Sequence, residues 1–127
     1  MIRQLLPAAA EELDDEDLLR LYAPPSGDRP WVRFNFVTTA DGAATHGGVS
    51  GDLGTEADKR LFMLLRRHAD VVLVGAGTVR AEGYDGPLVG DADRVWRREH
   101  RMAEHPGVAV VSGALDIDPG GAFIRKA

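Results

Sequence analysis

The sequence predicts an α/β fold, a mixed sheet with a mostly parallel core flanked by helices. Three observations predict it. Trp31 to Thr38 alternates as Trp-Val-Arg-Phe-Asn-Phe-Val-Thr, a strand signal rich in aromatic and β-branched residues. Val71-Val72-Leu73-Val74 is a short, unbroken apolar run, which suits a strand covered on both faces, as in a parallel sheet. Val108 to Ser112 is a third apolar strand, and helical patterns separate the three. Strand, helix, strand, helix, strand is the order of right-handed crossover units.

The elements follow in order. Residues 11–22 read as a helix: Asp14 can cap it, Asp17 stands three residues later, and Leu18, Leu19 and Tyr22 give an apolar stripe. Pro24-Pro25-Ser26-Gly27 stops that helix, so residues 1–28 form an arm and linker before the main domain. Asp41-Gly42 turns the chain after the first strand, and the glycine-rich stretch from His46 to Asp52 is a loop. Thr55-Glu56-Ala57-Asp58 opens a second helix, with Leu61, Leu64, Leu65 and His68 on one face. After the apolar run, Gly75-Ala76-Gly77-Thr78 makes a tight turn, and residues 79–82 can form a short helix. Gly83 to Pro87 breaks the chain, residues 91–104 read as a polar helix, and Asp118-Pro119-Gly120-Gly121 is a turn.

At 127 residues, 44% hydrophobic and 28% charged, the composition is that of one globular domain. A net charge of −5 argues against nucleic acid as the main partner. Arg97, Arg98 and Arg101 read as a solvated face of their helix. With no cysteine there is no disulfide framework or thiolate metal site, which is compatible with the cytosol, the expected location. The apolar stretch near the N-terminus is short and soon acidic, unlike a signal peptide, and no run approaches the roughly 20 residues that span a bilayer. His46, His68, His100 and His105 lack ligand spacing, so no metal site is expected.

Three groups are candidates for chemistry. The Gly75–Thr78 turn lies between a buried strand and a helix start, where unpaired N–H groups and the helix dipole favour phosphate. It is not the Rossmann Gly-x-Gly-x-x-Gly, because residue 80 is Arg; it is either a phosphate cradle or a plain strand-to-helix turn. Asp41 either only turns the chain or faces the crevice at the carboxyl end of a strand, where α/β folds bind ligands. Arg66 and Arg67 either complement the end of the second helix or hold a substrate phosphate.

Together these segments resemble the pyrimidine reductases of riboflavin synthesis, a dihydrofolate-reductase-like domain. Arg29-Pro30-Trp31-Val32 through Thr39-Ala40-Asp41-Gly42 looks like that family's opening strand and Asp-Gly turn. Leu65-Arg66-Arg67 followed by Asp70 to Val79 looks like its Leu-Arg-Ala and Gly-x-Gly-Thr-Val block. The resemblance spans residue 29 to about residue 119. It implies that residues 29–127 are the N-terminal part of such a reductase domain, dependent on NADPH and homodimeric. It further implies that the backbone near Val37, the block Gly75, Ala76, Gly77, Thr78 and Val79, and Glu82 contact NADPH. Ser112 would lie near the adenosine 2′-phosphate, and Asp52 stands where a family member's tryptophan touches the cofactor. Ser50 and Arg66 would hold the substrate's ribose phosphate, with Asp41 facing the pyrimidine. No side chain is required as a nucleophile.

The chain departs from the family at Ala81 to Pro87, a loop that shapes the substrate pocket. The family's further glycine-rich loop and closing strands are not in this sequence, so a missing C-terminal half is expected to complete the sheet. The alternatives are a related reductase of a pterin or another heterocycle, and an inactive nucleotide-binding fragment.

Overall fold

The computed structural model describes residues 2–9, 12–49, 53–82, 86–118, 120, 121 and 124, with Glu82 described by its backbone alone. Its elements are α1 (Asp15–Leu21), α2 (Glu56–His68), β1 (Val71–Gly75), α3 (Ala76–Glu82), α4 (Asp91–Glu99) and β2 (Gly107–Val111).

Helix α1 starts where its cap dictates. The Asp14 side chain accepts the Asp17 N–H at 2.8 Å, and the Asp17 side chain accepts the Asp14 N–H at 3.2 Å. This reciprocal pair fixes the first turn, so the helix begins at Asp15 rather than near Glu11. Ahead of the cap, the Leu13 N–H bonds the Ile2 carbonyl at 2.9 Å. Leu18 and Leu19 are buried with Leu13 against Leu64 of α2, and Ile2, Tyr22, Leu61 and Trp96 pack around them. An Arg60–Asp15 ion pair and a His68–Leu19 carbonyl contact at 2.9 Å join the same two helices. The arm is thus built into the hydrophobic cluster.

Helix α2 opens as its sequence suggests, with the Thr55 hydroxyl accepting the Asp58 N–H at 3.3 Å. The chain then turns at Ala69 and enters β1. β1 and β2 pair in parallel, with Val71 opposite Gly107 and Gly75 opposite Val111. Among the described residues this two-stranded sheet is the whole sheet.

Three expectations are corrected. Trp31–Thr38 forms no ladder. A strand needs a partner for its N–H and C=O groups, and none of the described residues supplies one. Its alternation survives as geometry: Phe34 and Phe36 stack with centroids 5.9 Å apart and are 72% and 81% exposed, while Arg33 turns the other way over the Tyr22 ring. Second, β1 is covered on one face only. Val74 is buried, but Val71 and Leu73, on the opposite face, are 57% and 60% exposed, as is Val111 of β2 at 59%. Third, the polar helix stops at Glu99. Arg101 takes a left-handed conformation (φ 58°), and the bonds Arg101 N–H to Arg98 O and Met102 N–H to Arg97 O close the end as a Schellman motif.

Candidate functional site

The expected site residues fall into one assembled group and several separate ones. The assembled group is the junction of β1 with α3. Strand becomes helix directly at Ala76, with no intervening loop. The expected glycine turn is therefore a junction, and among the described residues the glycines with positive φ lie elsewhere, at Gly42, Gly47 and Gly48. Among the described residues, a side chain at Gly77 would meet nothing within 4 Å, and one at Gly75 would only touch the Thr78 hydroxyl at 3.8 Å. Packing among the described residues thus does not demand either glycine.

The start of α3 also differs from the others. The first turns of α1, α2 and α4 carry acidic residues, Asp15, Glu56 and Asp91 among them, whereas that of α3 carries none. The residue before it, Gly75, has no side chain with which to cap. The leading N–H groups of a helix lack partners inside it, so this start keeps its positive end of the dipole uncompensated by a local carboxylate. Because Gly75 pairs with Val111, the next residue of β2's chain, Ser112, emerges beside it. The register therefore brings Gly75, Ala76, Gly77, Thr78, Val79 and Ser112 together at the carboxyl ends of two parallel strands, where α/β folds bind ligands.

Asp41 sits apart from this group. It lies in an exposed turn where its carboxylate accepts from the Thr39 hydroxyl and, at 3.4 Å, from the Ala43 N–H. The Thr39 hydroxyl, with the Ala43 N–H second, holds its carboxyl below the usual carboxylate range. Gly42 takes φ +85° there, which glycine tolerates without strain. Val37 is half-buried in the Trp31–Thr38 segment. Ser50 and Asp52 lie outside the described residues, as does the Glu82 side chain.

The two arginines ending α2 have different surroundings. Arg66 lies over the Phe62 ring at 4.2 Å and donates to the Leu88 carbonyl at 3.4 Å. Arg67 pairs with Asp93 of α4 at 2.6 Å, both side chains only 12% exposed. Asp93 in turn accepts the Gly90 N–H at 3.1 Å, so this carboxylate caps α4 and anchors it to α2.

The reading of Arg97, Arg98 and Arg101 as one solvated face is also corrected. Arg98 is exposed beside Glu104. Arg97 is 0% exposed. Its Nε donates to Ala103 O at 2.8 Å, and one terminal nitrogen donates to Arg67 O at 2.9 Å and Ala69 O at 2.7 Å. Burial lowers its pKa and the Asp70 charge opposes that shift, but a guanidinium remains charged. Asp93, Trp96 and Arg97 share the inward face of α4. The spacing of Asp93 and Arg97 by four was the available signal for it.

Among the described residues no cluster of metal-ligating side chains occurs, and no helix is long and apolar enough to cross a membrane.

The family model described as the RibD C-terminal domain matches residues 30–127. A crystal structure of a pyrimidine reductase-like protein from Corynebacterium diphtheriae is similar, with 31% identity and a TM-score of 0.61. That similarity covers 68% of this chain and 35% of the other, so the chain spans about a third of that structure's length. No curated protein matches the chain.

Proposed function

Because the chain belongs to the RibD C-terminal domain family, we propose that it forms the cofactor-binding part of an NADPH-dependent reductase of riboflavin biosynthesis. The substrate class is a ribosylamino-pyrimidine phosphate. The observation that carries the reading is the β1–α3 junction: an open, glycine-flanked helix start, free of acidic residues in its first turn, at the carboxyl ends of paired parallel strands.

When bound, NADPH supplies the hydride that reduces the ribosylamino carbon to a ribityl chain. The residues of this chain bind and orient. The N–H groups of Ala76, Gly77 and Thr78 point the positive end of α3 at the dinucleotide phosphates. Ser112 offers a hydroxyl near the adenosine ribose, and the backbone at Val37 and residues Val79 and Glu82 line the cofactor. Asp41 accepts donors from the pyrimidine, while Ser50 and Arg66 hold the ribose phosphate. Assembly as a homodimer, with a C-terminal half completing the sheet, belongs to the same reading, as does a cytoplasmic location.

Calorimetric titration with NADPH tests it. Gly77→Asp places a carboxylate in the open space where phosphate would sit, and affinity should drop at least tenfold, the effect of about 1.4 kcal/mol. Equal affinity in Gly77→Asp and wild type would put the phosphate site elsewhere. A second reading, a nucleotide-binding piece without turnover, is favoured by the uncovered apolar face of Val71, Leu73 and Val111. Binding of NADPH without its oxidation across a panel of pyrimidine and pterin substrates would select that reading.

A further inference from the structure

The turn after Trp31–Thr38 joins an aspartate to a glycine, Asp41-Gly42. Both residues are exposed. Gly42 takes φ +85°, and a side chain there would meet nothing within 4 Å among the described residues. The main-chain nitrogen of Gly42 thus stands next to the Asp41 carboxyl with no β-carbon to shield it. That nitrogen can attack Cγ of the neutral carboxyl. The N–Cγ bond forms, a Cγ–O bond breaks, and the amide proton leaves with the hydroxyl as water. The product is a five-membered succinimide. Water then opens the ring at either carbonyl. Breaking the N–Cγ bond restores aspartate. Breaking the bond from nitrogen to the former main-chain carbonyl leaves the chain running through the β-carboxyl, as isoaspartate. One water leaves and one returns, so the conversion needs no oxidant, reductant or other reactant.

Three contacts oppose the first step. The Thr39 hydroxyl donates to the Asp41 carboxylate, and the Ala43 N–H donates to it at 3.4 Å. Donors favour the ionised form, which is the poorer electrophile, and they restrain its rotation. The Gly42 N–H is engaged with the Thr39 carbonyl at 2.9 Å. Thr39 is common to these contacts. Its own N–H bonds the Ala43 carbonyl at 3.0 Å, and its hydroxyl accepts the Ala43 N–H at 2.9 Å. One residue therefore closes the turn and holds both reacting groups. The Thr39 hydroxyl first, then the N–H groups of Ala43 and of Asp41 itself, lower the Asp41 pKa, and among the described residues no charged side chain takes part.

We propose that Asp41-Gly42 is a site of spontaneous main-chain isomerisation and that the Thr39 hydroxyl is the gate that slows it. The inference does not depend on what the chain binds. Its product inserts a methylene into the main chain at the turn and moves the carboxylate, which withdraws Asp41 from any ligand it contacts.

The experiment ages the 127-residue chain from mildly acidic to neutral pH as wild type, Thr39→Val and Thr39→Ser, with circular dichroism to compare folding. Trypsin separates this pair, in residues 34–59, from the chain's other Asp-Gly pair, Asp85-Gly86, in residues 81–94. Mass spectrometry reads the succinimide as a lost water, and fragmentation of the main chain distinguishes isoaspartate from aspartate. Removing the hydroxyl raises the carboxyl's pKa, and each unit multiplies the neutral fraction about tenfold at higher pH. Thr39→Val should therefore isomerise Asp41 severalfold faster, with the fall of its rate shifted to higher pH. Thr39→Ser keeps the hydroxyl and should match wild type, and the rate at Asp85 should be the same in all three. A Thr39→Val rate equal to wild type overturns the gate. So does faster modification of Asp41 and Asp85 alike, or a faster rate at Asp41 with an unshifted pH profile, because general loosening of the chain produces either. Wild type unfolded in urea gives the ungated rate without any variant. If that rate equals the folded one, or if no isoaspartate forms at Asp41 even there, the proposal fails.

Discussion

Replacing Arg97 by Met separates a buried structural cation from a solvated one. Met keeps the unbranched apolar stem and removes the guanidinium. Three carbonyl oxygens, those of Arg67, Ala69 and Ala103, then lose donors now at 2.7–2.9 Å. Hydrogen bonds to a charged group are worth about 1.5–3 kcal/mol each, so even the low end gives a gross loss above about 4 kcal/mol. The ion's own desolvation cost is recovered in part. The net destabilisation should be about 3 kcal/mol, a large share of the roughly 5–15 kcal/mol that holds a domain together. Arg98→Met is the control. Its side chain is 54% exposed and pairs with Glu104 at 3.1 Å, so it should change stability by at most about 0.5 kcal/mol. Urea unfolding followed by circular dichroism reads both, with the slope checked for constancy. A cost below about 1 kcal/mol for Arg97→Met, or equal costs for the two variants, would refute the argument.

Four further outcomes are expected. Arg101→Gly should raise stability by about 0.5 kcal/mol in thermal melts, because glycine adopts the left-handed conformation that Arg101 now holds at φ 58°; a lower midpoint contradicts this. Burial lowers the pKa of His68 below 6.5, opposed by the Leu19 carbonyl of α1, with Arg33, Arg67 and His100 nearby. The unfolded chain then binds more protons just below pH 6.5, so this contribution is complete above that pH and is lost as pH falls toward the folded-state pKa. Urea stability should drop more on going from pH 7.5 to 5.5 in wild type than in His68→Gln, and equal drops would refute it. Asp41→Asn, which retains an acceptor for Thr39 and Ala43, should weaken pyrimidine binding by about 1–3 kcal/mol, and unchanged affinity leaves Asp41 as a turn residue. Finally, light scattering after size exclusion should show the chain associating through its uncovered sheet face, and Leu73→Lys should reduce it; a monomeric wild type with full reductase activity would overturn that.

Local signals were legible in the sequence and long-range ones were not. The Asp14–Asp17 capping box, the Thr55 cap and the Val71–Val74 strand are decided by residues within one turn or one strand, and the structure has them where the pattern puts them. The strand-to-helix switch at Gly75 was legible as position, though not as a continuous junction without a turn. Trp31–Thr38 shows the limit. A period of two tells which side chains share a face; it does not say whether a partner strand lies alongside. Helix α4 shows another. Three arginines in a polar helix look alike in sequence, but the carbonyls that surround Arg97 come from residues 67, 69 and 103, and no local pattern announces them.

Those three carbonyls also explain how the candidate site is held. Ala69 lies two residues before β1, and Ala103 lies four residues before β2. Arg97 ties both approaches to one guanidinium, and the Gly107 N–H then bonds the Asp70 carbonyl at 2.8 Å. The register of the parallel pair is thus set at its amino ends, by a buried cation with no exposure to ligand. Five residues further on, about 16 Å at the usual strand rise, the same register delivers Gly75 and Val111 side by side, and the chain parts into α3 and the Ser112 loop. The division of labour among arginines follows from this. Arg97 and Arg67 are consumed at the closed end and between helices, where donors and a carboxylate satisfy buried groups. Arg80 stands at the open end, beyond the last strand pair, where it donates to the Asp116 carbonyl at 3.1 Å and, among the described residues, makes no ion pair. A charge left in that condition contributes little to the fold.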